Sequence, residues 1–192
     1  MAESSNQNFN HLKIHSQYSI CEGAIKIDDL KNFSKDNKIR SLGICDTSNL
    51  CGALEFAEKI SKIGTQPIIG TQINFKYADT IGMLPLFALN EEGYKNIIKL
   101  SSLSYLKNEE RLEPQLDLNE LLKKNNGISL FSGTINGLFG RLFEKGKFTE
   151  IEELYLKLKS NYKDCFYLEI QRHGDKNEVG FEKFNLAQSL KF

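Results

Sequence analysis

Two of the three histidines lie close together near the N-terminus, at His11 and His15. If residues 8–14 form a strand, side chains two positions apart share a face, so His11, Lys13 and His15 align at its carboxyl end. Neutral imidazole is a common metal ligand, and this alignment is a reasonable start for a metal site. An HxxxH spacing outside a helix is not diagnostic, however. On spacing alone, polar residues at a strand end are the favoured interpretation.

Further polar residues lie near the ends of later predicted strands. Asp46 ends the second of them, and a carboxylate there can bind a metal ion or act as a base. It can equally form an Asx-turn or cap the following helix, and this interpretation is favoured on the evidence of position alone. Gln72, Glu169 and the third histidine, His173, lie near other strand ends. A lone surface histidine such as His173 indicates little by itself.

Several common chemistries are not indicated. Residues 132–137, Ser-Gly-Thr-Ile-Asn-Gly, match neither GxGxxG nor a P-loop. Ser16 and Ser19 lack a GxSxG context, and Cys45 and Cys51 have no obvious histidine partner. The net charge is zero, with 25 basic and 25 acidic residues, whereas a protein that coats DNA usually carries an excess of positive charge. Any contact with nucleic acid is therefore expected to be local or to belong to a partner.

Length and composition are those of one globular domain. The chain has 192 residues, of which 40% are hydrophobic and 26% charged. It contains no apolar run near the roughly 20 residues of a membrane helix, and residues 1–10 do not resemble a signal peptide. The four cysteines form no CxxC pair, so a disulfide or zinc framework is not expected. We therefore expect a cytoplasmic protein without a membrane partner.

The elements that must position these residues alternate along the chain, with no repeat or linker between them. Strands are predicted at 8–14, 41–45, 67–70, 73–77, 83–89, 128–131 and 165–170. Helices are predicted at 28–37, 50–63, 91–106, 118–124, 135–144, 149–160 and 177–190. Such alternation is typical of an α/β fold with a mainly parallel sheet, in which functional residues lie at the carboxyl ends of the strands. The chain stops where a further strand of the alternation is expected, which indicates a fragment of a longer protein.

A family resemblance follows from several of these segments together. Residues 11–23, HLKIHSQYSICEG, resemble the opening motif of the polymerase-and-histidinol-phosphatase (PHP) domain. The likeness is greatest to the PHP domains at the N-terminus of bacterial DNA polymerase III alpha subunits. Residues 45–52, 62–70 and 93–96 resemble later motifs of that family, as do Leu130–Gly133 and Phe166–Ile170. The resemblance implies a distorted (β/α)7 barrel of the PHP type over residues 1–192, truncated before its last strand, with 1–7 as a flexible N-terminus.

The family's metal-competent members hold up to three metal ions at the strand ends and hydrolyse phosphoesters. This sequence departs from that ligand pattern at most positions. The corresponding residues, which the resemblance places in a vestigial pocket, are Lys13, His15, Glu22, Asp46, Thr47, Gln72, Met83, Thr134 and His173. Neutral side chains cannot offset several cationic charges, and an ammonium repels a divalent cation. No functional metal, catalytic residue or cofactor of this domain is therefore expected, although residual Zn²⁺ or Mn²⁺ is the alternative.

Lys13 is the sharpest departure. Our hypothesis is that Lys13 supplies the positive charge that a metal supplies elsewhere in the family, and that it pairs with Asp46 or Glu22. The alternative is that Lys13 points to solvent.

The resemblance also implies the protein around the domain. The intact chain is expected to be a DNA-directed DNA polymerase, a nucleotidyltransferase of DNA replication, whose Mg²⁺-binding carboxylates lie in a domain that this segment does not contain. The segment itself is expected to be a non-catalytic scaffold. It would stabilise the polymerase and dock a proofreading exonuclease subunit, with DNA bound through other domains. The alternative is a metal-dependent phosphoesterase or proofreading nuclease, for which His15, Asp46 and His173 are the surviving ligands.

Overall fold

The computed structural model describes residues 9–107, 113–174 and 176–191. The predicted α/β class is confirmed: the described part of the chain forms one six-stranded sheet with helices packed on it. The strands are β1 (Ser41–Thr47), β2 (Gln66–Tyr77), β3 (Thr80–Ala88), β4 (Gln115–Asp117), β5 (Ile128–Phe131) and β6 (Phe166–Tyr167). The helices are α1 (Ile27–Asp36), α2 (Ala53–Ser61), α3 (Glu91–Leu106), α4 (Leu118–Leu122), α5 (Leu138–Glu144), α6 (Phe148–Tyr162) and α7 (Lys176–Ser189). No helix of these described residues is long and apolar enough to span a membrane.

The sheet is open. Its strand order is β1-β2-β3-β5-β6, with β4 attached to β2, and among the described residues the two end strands β1 and β6 do not pair with each other. Six strands in an open sheet agree with the expected barrel that lacks its last strand. The expectation of a mainly parallel sheet is correct for five strands, whereas β3 runs antiparallel to both of its neighbours. The reason is the turn at Ala78 and Asp79, which is too short for a parallel crossover.

The segment that precedes β1 differs from the predicted first strand. Within 9–14 the structure has no strand, and residue 8 lies outside the described residues. The segment nevertheless flanks β1, because Gly43 N donates to His11 O at 2.7 Å and Cys45 N donates to Ile14 O at 2.8 Å. These acceptors are three residues apart and their donors only two, so a regular ladder cannot continue. The approach also requires a glycine, since a Cβ on Gly43 would lie 2.4 Å from Leu12 O.

Two apolar clusters hold the helices on the sheet. The larger joins the central strands to α3, α5 and α6, and in it the ring of Phe139 stacks on that of Tyr155 with centroids 4.4 Å apart. The smaller joins α1 and α2 to β1 through residues such as Ile27, Leu42 and Phe56. The N-terminal segment and β1 therefore lie at one end of the sheet, and β6 lies at the other.

Predicted elements differ from the structure mainly at their ends. The bounds of α3 and β5 are as predicted, whereas β2 is one continuous strand rather than two and β6 is much shorter than expected. The three-residue strand β4 was not predicted. The first helix is predicted to begin at residue 28, whereas α1 begins at Ile27, and the side chain of Asp28 pairs with Lys59 Nζ at 2.7 Å.

Candidate functional site

A polar cavity of about 520 Å³ opens near the carboxyl ends of β1 and β6, against the middle of β2 and β3. Seven of the nine residues assigned to the vestigial pocket line it: Lys13, His15, Glu22, Gln72, Met83, Thr134 and His173. Pro85, Gly133, Asn136, Gly137 and Gln171 complete the lining. The other two assigned residues, Asp46 and Thr47, do not line the cavity, and their side chains bond to the turn beside it. We call this feature the central cavity.

The ion pair of Lys13 differs from both sequence expectations. Lys13 Nζ lies 3.1 Å from Glu169 Oε1, so its partner is neither Asp46 nor Glu22. The two side chains are only 15% and 10% exposed, which also contradicts a lysine that points to solvent. Glu169 is in turn fixed by its backbone N–H, which donates to Ser132 Oγ at 2.9 Å. Because Lys13 flanks β1 and Glu169 follows β6, the pair connects the two ends of the open sheet.

Asp46 holds a turn instead of facing the central cavity. Its buried carboxylate accepts hydrogen bonds from Ser16 N at 2.7 Å, Ser16 Oγ at 2.8 Å and Ser19 Oγ at 2.7 Å. The Ser19 hydroxyl also accepts from Thr47 N at 3.1 Å. This arrangement is not the Asx-turn or helix cap that position alone favoured, because the partners of the carboxylate are Ser16 and Ser19. Three of the acceptor positions of Asp46 are thus used by the turn, which favours a structural role, and the interpretation of Asp46 as a surviving ligand stays a prediction.

Glu22, Thr47 and Gln72 form a short hydrogen-bonded chain beside the cavity. Thr47 Oγ1 donates to the Glu22 carboxylate, and Gln72 Nε2 donates to Thr47 Oγ1 at 2.9 Å. The register of β1 and β2 places Thr47 directly opposite Gln72, which explains why these two side chains meet. Glu22 is the one carboxylate among the described residues that line the cavity. Its hydrogen-bond partner, Thr47, is a neutral side chain.

His15 forms part of the cavity wall. Its Nδ1 atom is buried and has no hydrogen-bond partner in the described structure. Burial lowers the pKa of His15 below its usual value, and the nearby Lys13 ammonium lowers it further, against the opposing effects of Glu22 and Asp46. At neutral pH the imidazole is therefore neutral.

Stability is expected to depend on pH through His15. The pKa of His15 is lower in the folded chain than the ordinary value that applies when it is unfolded, so the unfolded state binds more protons below about pH 6.5. The contribution of His15 is present above that pH and is lost as the pH falls. We expect His15→Gln to flatten the dependence of the melting temperature on pH between about pH 7 and 5. His11→Gln, at an exposed position, is the control; equal slopes for His15→Gln and wild type would contradict the assignment.

The rim of the cavity is organised by a residue that was not singled out from the sequence. Glu178 Oε2 accepts hydrogen bonds from His173 N at 2.7 Å and Gly174 N at 3.1 Å, and its Oε1 lies 3.2 Å from His173 Nδ1. The side chain of His173 is largely exposed. An acidic residue in the first turn of a predicted helix is a known stabilising pattern, so that signal could have pointed to Glu178.

The donor set does not fit a multinuclear metal centre. In the described ranges, no three His, Cys, Asp or Glu side chains are grouped so that they could hold a metal ion. Lys13 places an ammonium in the cavity, and Met83, Thr134 and Gln72 are neutral. The expectation that the domain holds no functional metal stays a prediction, which a measurement of bound metal can test.

Comparisons with known proteins bear on the family of this chain. The PHP domain model matches residues 11–173. The DNA polymerase III subunit alpha of Caulobacter vibrioides is 36% identical over 185 residues, which are 91% of this chain and 16% of the relative. That of Borreliella burgdorferi is 36% identical over 181 residues, or 88% of this chain and again 16% of the relative. The chain thus spans about a sixth of the length of these relatives.

A solved amidohydrolase structure from Chromobacterium violaceum superposes with a TM-score of 0.39 and 13% identity, and covers 49% of this chain and 34% of that one. This likeness is too slight to assign a fold family. The PHP domain model, by contrast, begins at His11 and ends at His173, so it contains every residue that was assigned to the pocket. On this evidence the chain belongs to the PHP domain family.

Proposed function

We propose that this chain is the PHP domain of a replicative DNA polymerase alpha subunit, and that it acts there as a non-catalytic scaffold. Two relatives of that name support the polymerase context, each over about nine tenths of this chain. In this proposal the intact protein is a cytoplasmic DNA-directed DNA polymerase. Its Mg²⁺-dependent transfer of nucleotides takes place in another domain, so no residue of this chain is assigned to that reaction.

The Lys13–Glu169 ion pair is the observation that carries the scaffold role. A catalytic centre of the multinuclear type needs anionic or imidazole ligands that clamp cations and lower the pKa of a bound water. Here Lys13 lines the cavity, and its ammonium pairs with the largely buried carboxylate of Glu169. The charge arrangement thus favours a stable connection across the sheet over the recruitment of divalent cations.

The proposed partners are the remainder of the polymerase chain and a proofreading exonuclease subunit, with DNA bound elsewhere. Support comes from the balanced charge of the chain, 25 basic against 25 acidic residues, which suits contacts with protein better than contacts with a polyanion.

A second candidate function is a metal-dependent phosphoesterase or nuclease. It is favoured by a specific observation, namely that His15, Glu22 and His173 all line one open cavity of about 520 Å³. It requires that Lys13 leave Glu169 when a metal enters, because the two cations would otherwise repel each other.

Bound metal distinguishes these two functions. Purified, untagged protein is incubated with Zn²⁺ and Mn²⁺, desalted and analysed by elemental mass spectrometry. We expect less than roughly a tenth of an equivalent of either metal, since tight sites retain theirs through desalting. One equivalent or more that is lost in His15→Ala, together with hydrolysis of a chromogenic phosphodiester, would establish the second function instead. Glu58→Gln, on the exposed side of α2, is the matched control variant.

A further inference from the structure

A second concave surface lies apart from the central cavity, between the N-terminal segment and α1. It is a groove of about 380 Å³ lined by His11, Ile14, Ile25, Asp29, Leu30 and Phe33. None of these six residues lines the central cavity. We call it the α1 groove. His11 lines this groove whereas Lys13 and His15 line the central cavity, so the three residues do not share one face as the sequence predicted.

Several apolar side chains in and beside the α1 groove are exposed to solvent. Phe33 is 44% exposed and Ile25 is 45% exposed, and Phe9 at the rim is 70% exposed. Phe9 contacts His11 edge to face with ring centroids 4.8 Å apart, and His11 contacts Phe33 at 6.4 Å. Single exposed apolar residues are ordinary, but apolar residues that line one groove mark an interaction site.

The charge in the groove indicates what it can bind. Asp29 is the one acidic residue among the six that line it, and it lies on the exposed side of the first turn of α1. Its neighbour Asp28 is paired with Lys59, whereas Asp29 has no ion-pair partner in the described part of the chain. A carboxylate beside an apolar surface attracts a lysine or arginine and repels a phosphate.

We propose that the α1 groove binds a peptide segment of a partner protein, which places a bulky apolar side chain against Leu30 and Phe33 and a basic side chain beside Asp29. An apolar anchor in a pocket with a charge at its edge is a common form of peptide recognition. The inference goes beyond the proposed function and does not depend on it, because the groove and the central cavity share no residues.

Two other occupants fit the groove less well. Aromatic rings also stack on the bases of single-stranded nucleic acid, but such surfaces combine stacking with a cationic path for the backbone, and the charge in this groove is acidic. A second copy of this chain would have to present a basic residue next to a protruding apolar one. Both occupants are therefore tested as competing outcomes.

The test selects ligands without assuming a partner. A random peptide library displayed on phage is selected against the complete 192-residue chain, and the enriched peptides are synthesised and titrated by fluorescence anisotropy. We expect them to carry lysine or arginine next to leucine, isoleucine or phenylalanine. Phe33→Ala is expected to weaken their binding by at least about tenfold, the loss typical of an anchor residue. Asp29→Asn is expected to abolish the preference for a basic residue over glutamate in a matched peptide pair.

Matched variants keep the result interpretable. Asp36→Asn removes a carboxylate from the same helix outside the groove, and Tyr105→Ala removes an exposed ring from α3. Both should bind the peptides as the wild type does, and circular dichroism checks that all four variants are folded. Affinities that are unchanged in Phe33→Ala and Asp29→Asn overturn the proposal. So does an oligo-dT strand whose binding depends on Phe33, or sedimentation that shows a dimer disrupted by Phe33→Ala.

Discussion

Lys13→Met is expected to lower the free energy of unfolding by up to about 3–5 kcal/mol, the cost of leaving one member of a buried ion pair without its partner, because the Lys13–Glu169 pair is largely buried. Methionine preserves most of the volume of the lysine stem but removes the ammonium, so the carboxylate of Glu169 stays in a poorly hydrated position. In a domain of this size the loss corresponds to a melting temperature lower by roughly 6–20 °C. Differential scanning calorimetry at neutral pH measures it directly.

A comparison of buried and exposed pairs provides the control. Lys95→Met removes an ion pair with Glu91 that is largely exposed on α3, and such a pair contributes little to stability because water screens it. The double substitution Lys13→Met with Glu169→Met should recover much of the loss, because no buried charge is left alone. A Lys13→Met variant that melts like Lys95→Met would show that the pair across the sheet contributes little.

Asp46→Ala is expected to destabilise the chain by about 2–4 kcal/mol, because the substitution removes the acceptor of three hydrogen bonds. The donors of Ser16 and Ser19 are then left buried without partners. Asp46→Asn should cost less, since an amide oxygen still accepts and the serine hydroxyls can rotate. Chemical denaturation monitored by circular dichroism gives both values.

The same variants distinguish a structural carboxylate from a metal ligand. If Asp46 only holds the turn, chelators should not change the stability of the wild type, and the loss in Asp46→Ala should be the same with and without them. If the stability of the wild type falls in chelator to the level of Asp46→Ala, then Asp46 binds a metal after all. Asp36→Asn, an exposed carboxylate on α1, serves as the reference for a substitution without buried partners.

The composition of the central cavity could be predicted from the sequence, but its bonding could not. Seven of nine assigned residues line it, because each lies near a strand end or within a recognisable motif. The partner of Lys13 was missed because Glu169 is 156 positions away, and the two residues meet only in the folded chain, between the ends of the open sheet. The bonding of Asp46 was missed for a different reason: its partners are the serines of the preceding turn, a residue type that has little signature at that spacing.

Similar limits apply to the fold. Apolar runs located five of the six described strands, but periodicity does not give direction, so the reversal of β3 was not foreseen. Strand β4 has three residues and no apolar run of its own, and it becomes a strand only because it pairs with β2. The segment before β1 alternates in sequence like a strand, yet its pairing skips a residue between His11 and Ile14.

Lys13 and Glu169 are 156 positions apart in the sequence, and this has a consequence for how the chain folds during synthesis. β1, β2 and β3 follow one another in the chain, and β2 pairs with both of the others, so these strands can assemble while the ribosome is still adding later residues. Throughout that interval Lys13 lacks Glu169, which is synthesised near the end of this segment. The contact therefore forms late. A contact that forms late mainly lowers the unfolding rate of the finished sheet and hardly changes its folding rate.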